Sequence, residues 1–299
     1  MEKRILGKTG YAVSAVVYGG IVSSANYAGY VCPDGQAASD AAVEWAIRHG
    51  VNYFDVGPDY GDAEVLLGNS LRPYREDVYI ACKTLGRTRA DAEADFQESL
   101  RRLHTDHFDT YQLHALSTME DLETVFAPGG AMELFIELKE QGLVRKLGVT
   151  SHNEDVALLA LERYDFDSVL FPLNWHMHMA HGMGDRLLQA AKEKNVGVLA
   201  MKSMIERSWD AGDGEARKKY PKSWCKPIDE ETDGALLLAT MKYVFSLGVD
   251  VIVPPGNFGH FRFGAEHADA ALSEPLTEEE QILLRERLQQ VKDRPFFGV

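Results

Sequence analysis

The sequence predicts an α/β protein of the (β/α)8 type, a TIM barrel, on three observations. Eight short β-branched runs recur along the chain, and amphipathic stretches of helical period lie between them. The 299 residues also suit one such barrel, which takes roughly 250 residues before insertions. Strands alternating with helices build a parallel sheet, and eight units close it rather than leave it open. Residues 1–299 are therefore expected to form one barrel domain.

Taken in order, residues 3–14 read as an N-terminal β-hairpin turning at Gly7-Lys8-Thr9-Gly10, ahead of the barrel. The strand-like runs are 12–18, 52–55, 78–83, 110–114, 147–150, 168–172, 197–201 and 250–254. Helical periodicity marks 37–49, 63–71, 89–103, 132–141, 154–163, 185–194 and 234–247; in the fourth of these Leu134 and Leu138 share a face and Gly142 stops the helix. Residues 277–291 form an extra C-terminal helix, opened by Thr277 and Glu280 as a capping box. One long irregular stretch, 204–232, follows the seventh strand. A loop of that length in a compact domain usually carries function.

Composition narrows the function. Hydrophobic residues make up 45 %, enough for a large core. The net charge of −15, from 31 basic against 46 acidic residues, repels phosphate backbones and anionic lipid, which excludes nucleic acid and membrane surfaces as partners. Cys32, Cys82 and Cys225 form no CxxC pair, which argues against a disulfide framework or a cysteine metal site and for a reducing, cytoplasmic setting. Met1-Glu2-Lys3-Arg4 leads into no apolar leader, and the longest apolar runs, such as 196–201, are far too short to span a bilayer.

In such a barrel the active site lies at the C-terminal ends of the strands. Asp55, Lys83 and His114 fall at the ends of the second, third and fourth strands, and Tyr60 in the loop after Asp55. Adjacent strands are about 4.8 Å apart, so these side chains can surround one point. Their chemistry is coherent. The Lys83 ammonium favours phenolate and lowers the pKa of Tyr60. Asp55 holds the lysine charged and in place, and His114 donates a hydrogen bond that orients a carbonyl oxygen. Together they stabilise the negative charge that grows when a carbonyl accepts hydride.

Other constellations are weaker. His176, His178 and His181 follow the sixth strand in a stretch read as a flexible loop, with no carboxylate to complete a metal motif, and no metal is expected. Trp175, Trp209 and Trp224 are candidates to line a substrate pocket. Cys82 points away from Lys83 along its strand and reads as a small buried hydrophobe.

Nearly the whole chain resembles the aldo-keto reductase superfamily, as a divergent branch. Arg4-Ile5-Leu6-Gly7-Lys8-Thr9-Gly10 resembles its hairpin; Asn52-Tyr53-Phe54-Asp55-Val56-Gly57-Pro58-Asp59-Tyr60-Gly61, with Glu64 and Gly68, resembles the signature of its catalytic Asp and Tyr. Ile80-Ala81-Cys82-Lys83-Thr84 resembles the lysine strand, Asp109-Thr110-Tyr111-Gln112-Leu113-His114 the histidine strand, and residues 142–151 the approach to the nicotinamide. The resemblance implies an NAD(P)H-dependent reductase of a small aldehyde or ketone, with Tyr60 as proton donor and Asp55, Lys83 and His114 assisting. It implies cofactor contacts from Gly20, Thr150, Ser151, Met201, Lys202, Gly256, Asn257, Phe258, Gly259 and Arg262. Thr150-Ser151 stand where the family has Ser-Asn, Leu170 where it has Gln, and Met201 where it has an aromatic ring. Arg262, seven positions beyond Pro255, matches the residue that grips an adenosine 2′-phosphate, which favours NADPH with NADH as the second choice. A nucleotide-binding regulatory or redox-sensing subunit on the same fold is the alternative; the oligomeric state is not legible.

Overall fold

The computed structural model describes residues 1–294 and Phe296. Its centre is an eight-stranded parallel sheet in consecutive order: Tyr18–Gly19, Tyr53–Asp55, Tyr79–Thr84, Phe108–Leu113, Val144–Thr150, Ser168–Pro172, Gly197–Met201 and Val251–Val253. A parallel bridge between Val16 and Ile252 closes the ring, with the Val17 amide donating to the Ile252 carbonyl (2.9 Å) and the Ile252 amide to Ala15 (2.9 Å). The expected barrel is therefore observed.

The run 12–18 is not one strand. Ala12–Ser14 pairs antiparallel with Lys3–Ile5, whereas Tyr18–Gly19 joins the barrel. The Ser14 hydroxyl donates to the Val16 carbonyl (2.8 Å), which bends the chain between the two parts. The hairpin thus plugs the N-terminal end of the barrel. Leu6 and Val13 pack with Val17, Tyr53, Ala81, Leu170, Leu199 and Val251 as an inner core. Tyr11 stacks on Tyr79 at 4.3 Å. With that end sealed, the opposite, C-terminal mouth is left for ligands.

Alternation along the strands separates two environments. Phe54, Ile80, Cys82, Tyr111, Leu147, Val149, Val169, Phe171, Val198 and Ile252 face outward into the main core, which the surrounding helices cover. Tyr53, Asp55, Ala81, Lys83, Thr110 and Gln112 form the other set, and the register sets Asp55 against Ala81 and Lys83 against Gln112.

Several segments differ from the sequence reading. Met119–Phe126 is an extra helix after the fourth strand, its amide end capped by Thr118. Trp175–His181, expected to be loop, is helical: Asn174 Oδ1 accepts the amides of His176 and Met177, and Gly182 ends it at φ 65°. The stretch 204–232 is structured as well, with Ile205–Arg207 paired to Lys226–Pro227 and a short helix at Gly214–Lys219. We refer to it as the strap. The C-terminal helix, Glu278–Val291, carries the expected capping box of Thr277 and Glu280. No helix among the described residues is long and apolar enough to cross a membrane.

Candidate active site

The second and third strands deliver a buried ion pair. Asp55 is 3 % exposed and Lys83 fully buried, with Lys83 Nζ 2.5 Å from Asp55 Oδ2. The other carboxylate oxygen accepts from Gln112 Nε2 at 2.7 Å. Two donors on one carboxylate fix its plane, and with it the lysine. Gln112 was not singled out from sequence; its signal is the period of two that puts it on the same face of the strand as His114. The lysine stem runs over Gly57, where a Cβ would stand 2.9 Å from Lys83 Cγ. Glycine at 57 thus lets the long side chain reach Asp55.

The loop after Asp55 carries Asp59 and Tyr60 back over this pair. Lys83 Nζ lies 5.4 Å from the centroid of the Tyr60 ring. His114 meets that ring edge-on, 5.8 Å between centroids at 89°, and its Nδ1 is 3.3 Å from Asp59 Oδ1. That is ion-pair range, but off the line of a hydrogen bond, since Nδ1 makes none. Burial opposes ionisation of Asp59, yet His114 and then Lys83 outweigh it, so its carboxyl sits below the ordinary value. Asp59 is a second residue that the sequence reading passed over.

The electrostatics correct one expectation. Lys83 does pull the Tyr60 phenol down, but burial is the larger influence and leaves its pKa raised. Burial also acts against the Lys83 ammonium, where Asp55 and then Tyr60 override it and hold the proton on. Both groups are therefore protonated at neutral pH. Phenol as the standing form is what donation to a nascent alkoxide requires.

A cleft of about 470 Å³ opens onto this group. Of the residues expected to hold a cofactor, Thr150, Met201, Lys202 and Gly256 line it, as does Leu170. Thr150 Oγ1 also accepts the Ala115 amide at 2.7 Å. Ser151 does not line it: fully buried, its hydroxyl donates to the Asn153 carbonyl and accepts the Asn153 amide, shaping the turn into the next helix. Gly20 is set by packing, since a Cβ there would lie 2.5 Å from Val56. His152 lines the cleft without having been expected there. Burial, then Lys202 and His114, push its pKa down to about 3, so it is neutral. Lys202, in the left-handed region at φ 64°, has its ammonium pushed down to about 8 by burial.

The loop after the eighth strand and the helix it opens, Phe258–Ser273, depart further from expectation. A Cβ on Gly256 would meet Ile21 and the Lys222 carbonyl, and one on Gly259 would lie 2.3 Å from Glu230 Oε1. Ile21 and the strap fill these spaces. Glu230 accepts from the Tyr220 hydroxyl at 2.7 Å and lies 3.4 Å from His260. Phe258 packs edge-on to Trp45 at 5.7 Å. Arg262 is exposed and pairs with Glu266 one turn on (3.0 Å). Two polar atoms on the residues that follow Lys202 and Gly256, Ser203 Oγ and Asn257 Nδ2, are buried and make no hydrogen bond among the described residues.

The histidine cluster disperses. His176 Nδ1 bonds the Glu206 carbonyl (3.0 Å), and His178 is held between the Tyr243 hydroxyl (2.7 Å) and Asp185 (2.9 Å). No group of three metal-ligating side chains converges among the described residues. Trp175 is buried, its Nε1 donating to the Ile205 carbonyl, and Trp209 binds the Ser223 carbonyl; Trp224 alone of the three lines the cleft. Cys82 is buried as expected, but its thiol faces Glu64 at 3.4 Å rather than purely apolar neighbours.

Comparison with known proteins bears on this geometry. The sequence model of the "Aldo/keto reductase family" matches residues 29–226. The chain is similar to D-arabinose 1-dehydrogenase of Saccharomyces cerevisiae, 30 % identical over 64 % of this chain and 62 % of the yeast protein. It is also similar to L-galactose dehydrogenase of Arabidopsis thaliana, 31 % identical over 67 % of this chain and 64 % of the plant protein. The matched stretch thus spans just under two thirds of each of those enzymes. Among solved structures, an aldo-keto reductase from Klebsiella pneumoniae in complex with NADPH superposes over 100 % of both chains, with a TM-score of 0.68 at 21 % identity. That likeness carries the fold.

Proposed function

The chain belongs to the aldo/keto reductase family, and from that premise we propose that it reduces an aldehyde or ketone with NAD(P)H at the mouth of the barrel. The observation that carries this reading is the buried Asp55–Lys83 pair beside Tyr60 and His114. Tyr60 donates the proton to the carbonyl oxygen. Lys83, kept charged by Asp55, whose carboxylate Gln112 orients, stabilises the phenolate left behind. His114, restrained by Asp59, orients the oxygen. The dihydronicotinamide, when bound, supplies the hydride. A small carbonyl compound is the partner we assign, and three free thiols together with the −15 charge support a cytoplasmic protein that avoids nucleic acid and membranes.

The residues along the cleft fit a nicotinamide dinucleotide. Thr150, Met201 and Leu170 form a semi-polar shelf beside the catalytic group, and Lys202 is a cation for a phosphate. Ser203 Oγ and Asn257 Nδ2 are buried polar atoms in want of partners, which a ligand rich in oxygen supplies. Screening aldehydes, ketones, sugars and quinones with NADPH and NADH, by loss of nicotinamide absorbance, tests the reading. No turnover of any carbonyl with either cofactor would count against it.

NADPH is the cofactor we propose, gripped at its 2′-phosphate by Arg262. The exposed Arg262–Glu266 pair is of a kind worth about 0–1 kcal/mol, so its release costs little. A charge-assisted contact contributes about 1.5–3 kcal/mol. Arg262→Ala is therefore expected to weaken NADPH by about ten- to a hundredfold while hardly changing NADH. Glu230→Gln, which removes a carboxylate from beside Gly259, should move the same ratio toward NADPH. Dissociation constants from quenching of protein fluorescence check both; unchanged ratios in both variants would refute this phosphate seat.

Lys202 gives a pH signature. Without cofactor, burial pushes its ammonium down to about 8; a phosphate nearby raises that value. Its contribution to cofactor binding is complete below about pH 8 and is lost as pH rises through the higher value of the complex. Binding near pH 8.5 should take up protons, a fraction that calorimetry in buffers of different ionisation enthalpy reads directly. Proton uptake that persists in Lys202→Met would assign it to another group.

A further inference from the structure

We propose that a second, outer cleft seats the anionic end of a polyhydroxylated carbonyl substrate, a sugar acid or sugar phosphate whose carbonyl lies at Tyr60. This outer cleft, about 640 Å³, lies between the strap and the small hairpin that pairs Asn26–Tyr27 with Tyr30–Val31. Its walls include Tyr27, Tyr30, Trp209 and Trp224, with the cations Arg217 and Lys222. The inference rests on the reductase reading for the position of the carbonyl and names the substrate class for that site.

Three observations carry it. The two clefts are adjoining, because Ser223 and Trp224 line both. The Trp224 ring is 5.7 Å from that of Tyr60 and 5.7 Å from that of Tyr27, so a molecule held at Tyr60 passes Trp224 to reach the outer walls. Second, the cations there are positioned rather than loose. Arg217 lies over the Trp209 ring at 5.3 Å, and Lys222 lies over Tyr30 at 5.3 Å while donating to the carbonyls of Val22 and Ser24. Third, charge is uneven across an acidic chain. Four of the strap's carboxylates are held by its own cations: Asp213 by Arg207, Glu215 by Lys218, Asp229 and Glu231 by Lys219; Glu230 instead accepts from Tyr220. Arg217 and Lys222 have no carboxylate partner among the described residues. Aromatic faces beside Arg217, a cation with no carboxylate partner among the described residues, favour a ligand with C–H faces and a terminal anion. A sugar with an acid group at the end remote from its carbonyl has both.

The test compares D-glucuronate and D-glucose 6-phosphate with D-glucose, each with NADPH, in the parent and in Arg217→Gln. Isothermal titration of cofactor-free protein with D-glucarate and 6-phosphogluconate, which carry no reducible carbonyl, measures the cleft without catalysis. The expected result is at least a tenfold advantage in kcat/KM for an acid-bearing sugar, expressed in KM, reduced by salt and lost in Arg217→Gln. Preference for only one of the two anions supports the proposal and identifies the group. Equal kcat/KM for neutral and acidic sugars, or a preference that survives Arg217→Gln, overturns it. Arg217-dependent binding of either anion without reduction of any carbonyl leaves the cleft standing and removes the reductase reading; reduction of neutral carbonyls with no anion binding does the reverse.

Discussion

Tyr60→Phe is expected to lower turnover by about 10²–10⁴-fold, the range that a positioned general acid supplies, with fold and cofactor affinity nearly intact. The ring stays, and with it the edge contact to His114 and the face toward Lys83. Only the hydroxyl is lost. Because burial keeps that phenol protonated in the free protein, the parent needs no ionisation step before it can donate. The variant should therefore lose kcat far more than cofactor binding. Near-full turnover by the phenylalanine variant on a confirmed substrate would remove Tyr60 from the role.

Lys83→Met should be at least as damaging to turnover, and destabilising as well. The change leaves Asp55, 3 % exposed, with Gln112 as its remaining side-chain donor. Breaking a buried pair in this way costs about 3–5 kcal/mol. Adding Asp55→Asn removes the uncompensated charge and should restore much of the lost thermal stability without restoring activity. That split separates the role of Lys83 in the fold from its role beside Tyr60. Combined with Tyr60→Phe, Lys83→Met should add little further loss, because the two act as one unit. Losses that multiply cleanly in the Tyr60→Phe/Lys83→Met double variant would show that the lysine does not work through the phenol.

The catalytic group was legible in the sequence because each member is tied to a strand end, and strand ends in a barrel converge by geometry alone. Asp55, Lys83 and His114 needed only the count of strands to be placed together. Gln112 carried the same signal at period two and was passed over in favour of the more reactive histidine. Glu230 and Lys222 were not legible. They sit in the strap and meet Gly259 and the carbonyls of Val22 and Ser24 only through long-range packing, which no local pattern encodes. The glycines near the eighth strand show the cost of that gap: Gly256 and Gly259 were expected among the cofactor contacts, whereas Ile21 and Glu230 stand where a Cβ on each would lie. In the fold, the run 12–18 hid a change of partner, since the β-branched character that suits a barrel strand suits a hairpin equally. The helix at Trp175–His181 did have its signals, Asn174 before and Gly182 after, but the stretch reads as a flexible loop because it is short.

The most direct test of the account is a transfer experiment with NADPH deuterated at C4 of the dihydronicotinamide, using a carbonyl compound from the screen and both the parent and Tyr60→Phe. The account predicts deuterium on the carbinol carbon of the product, transferred from one face of the ring only, at a rate that falls by about 10²–10⁴-fold in the variant. A folded parent protein that binds NADPH yet delivers no deuterium to any carbonyl, or delivers it equally fast without the Tyr60 hydroxyl, would contradict it.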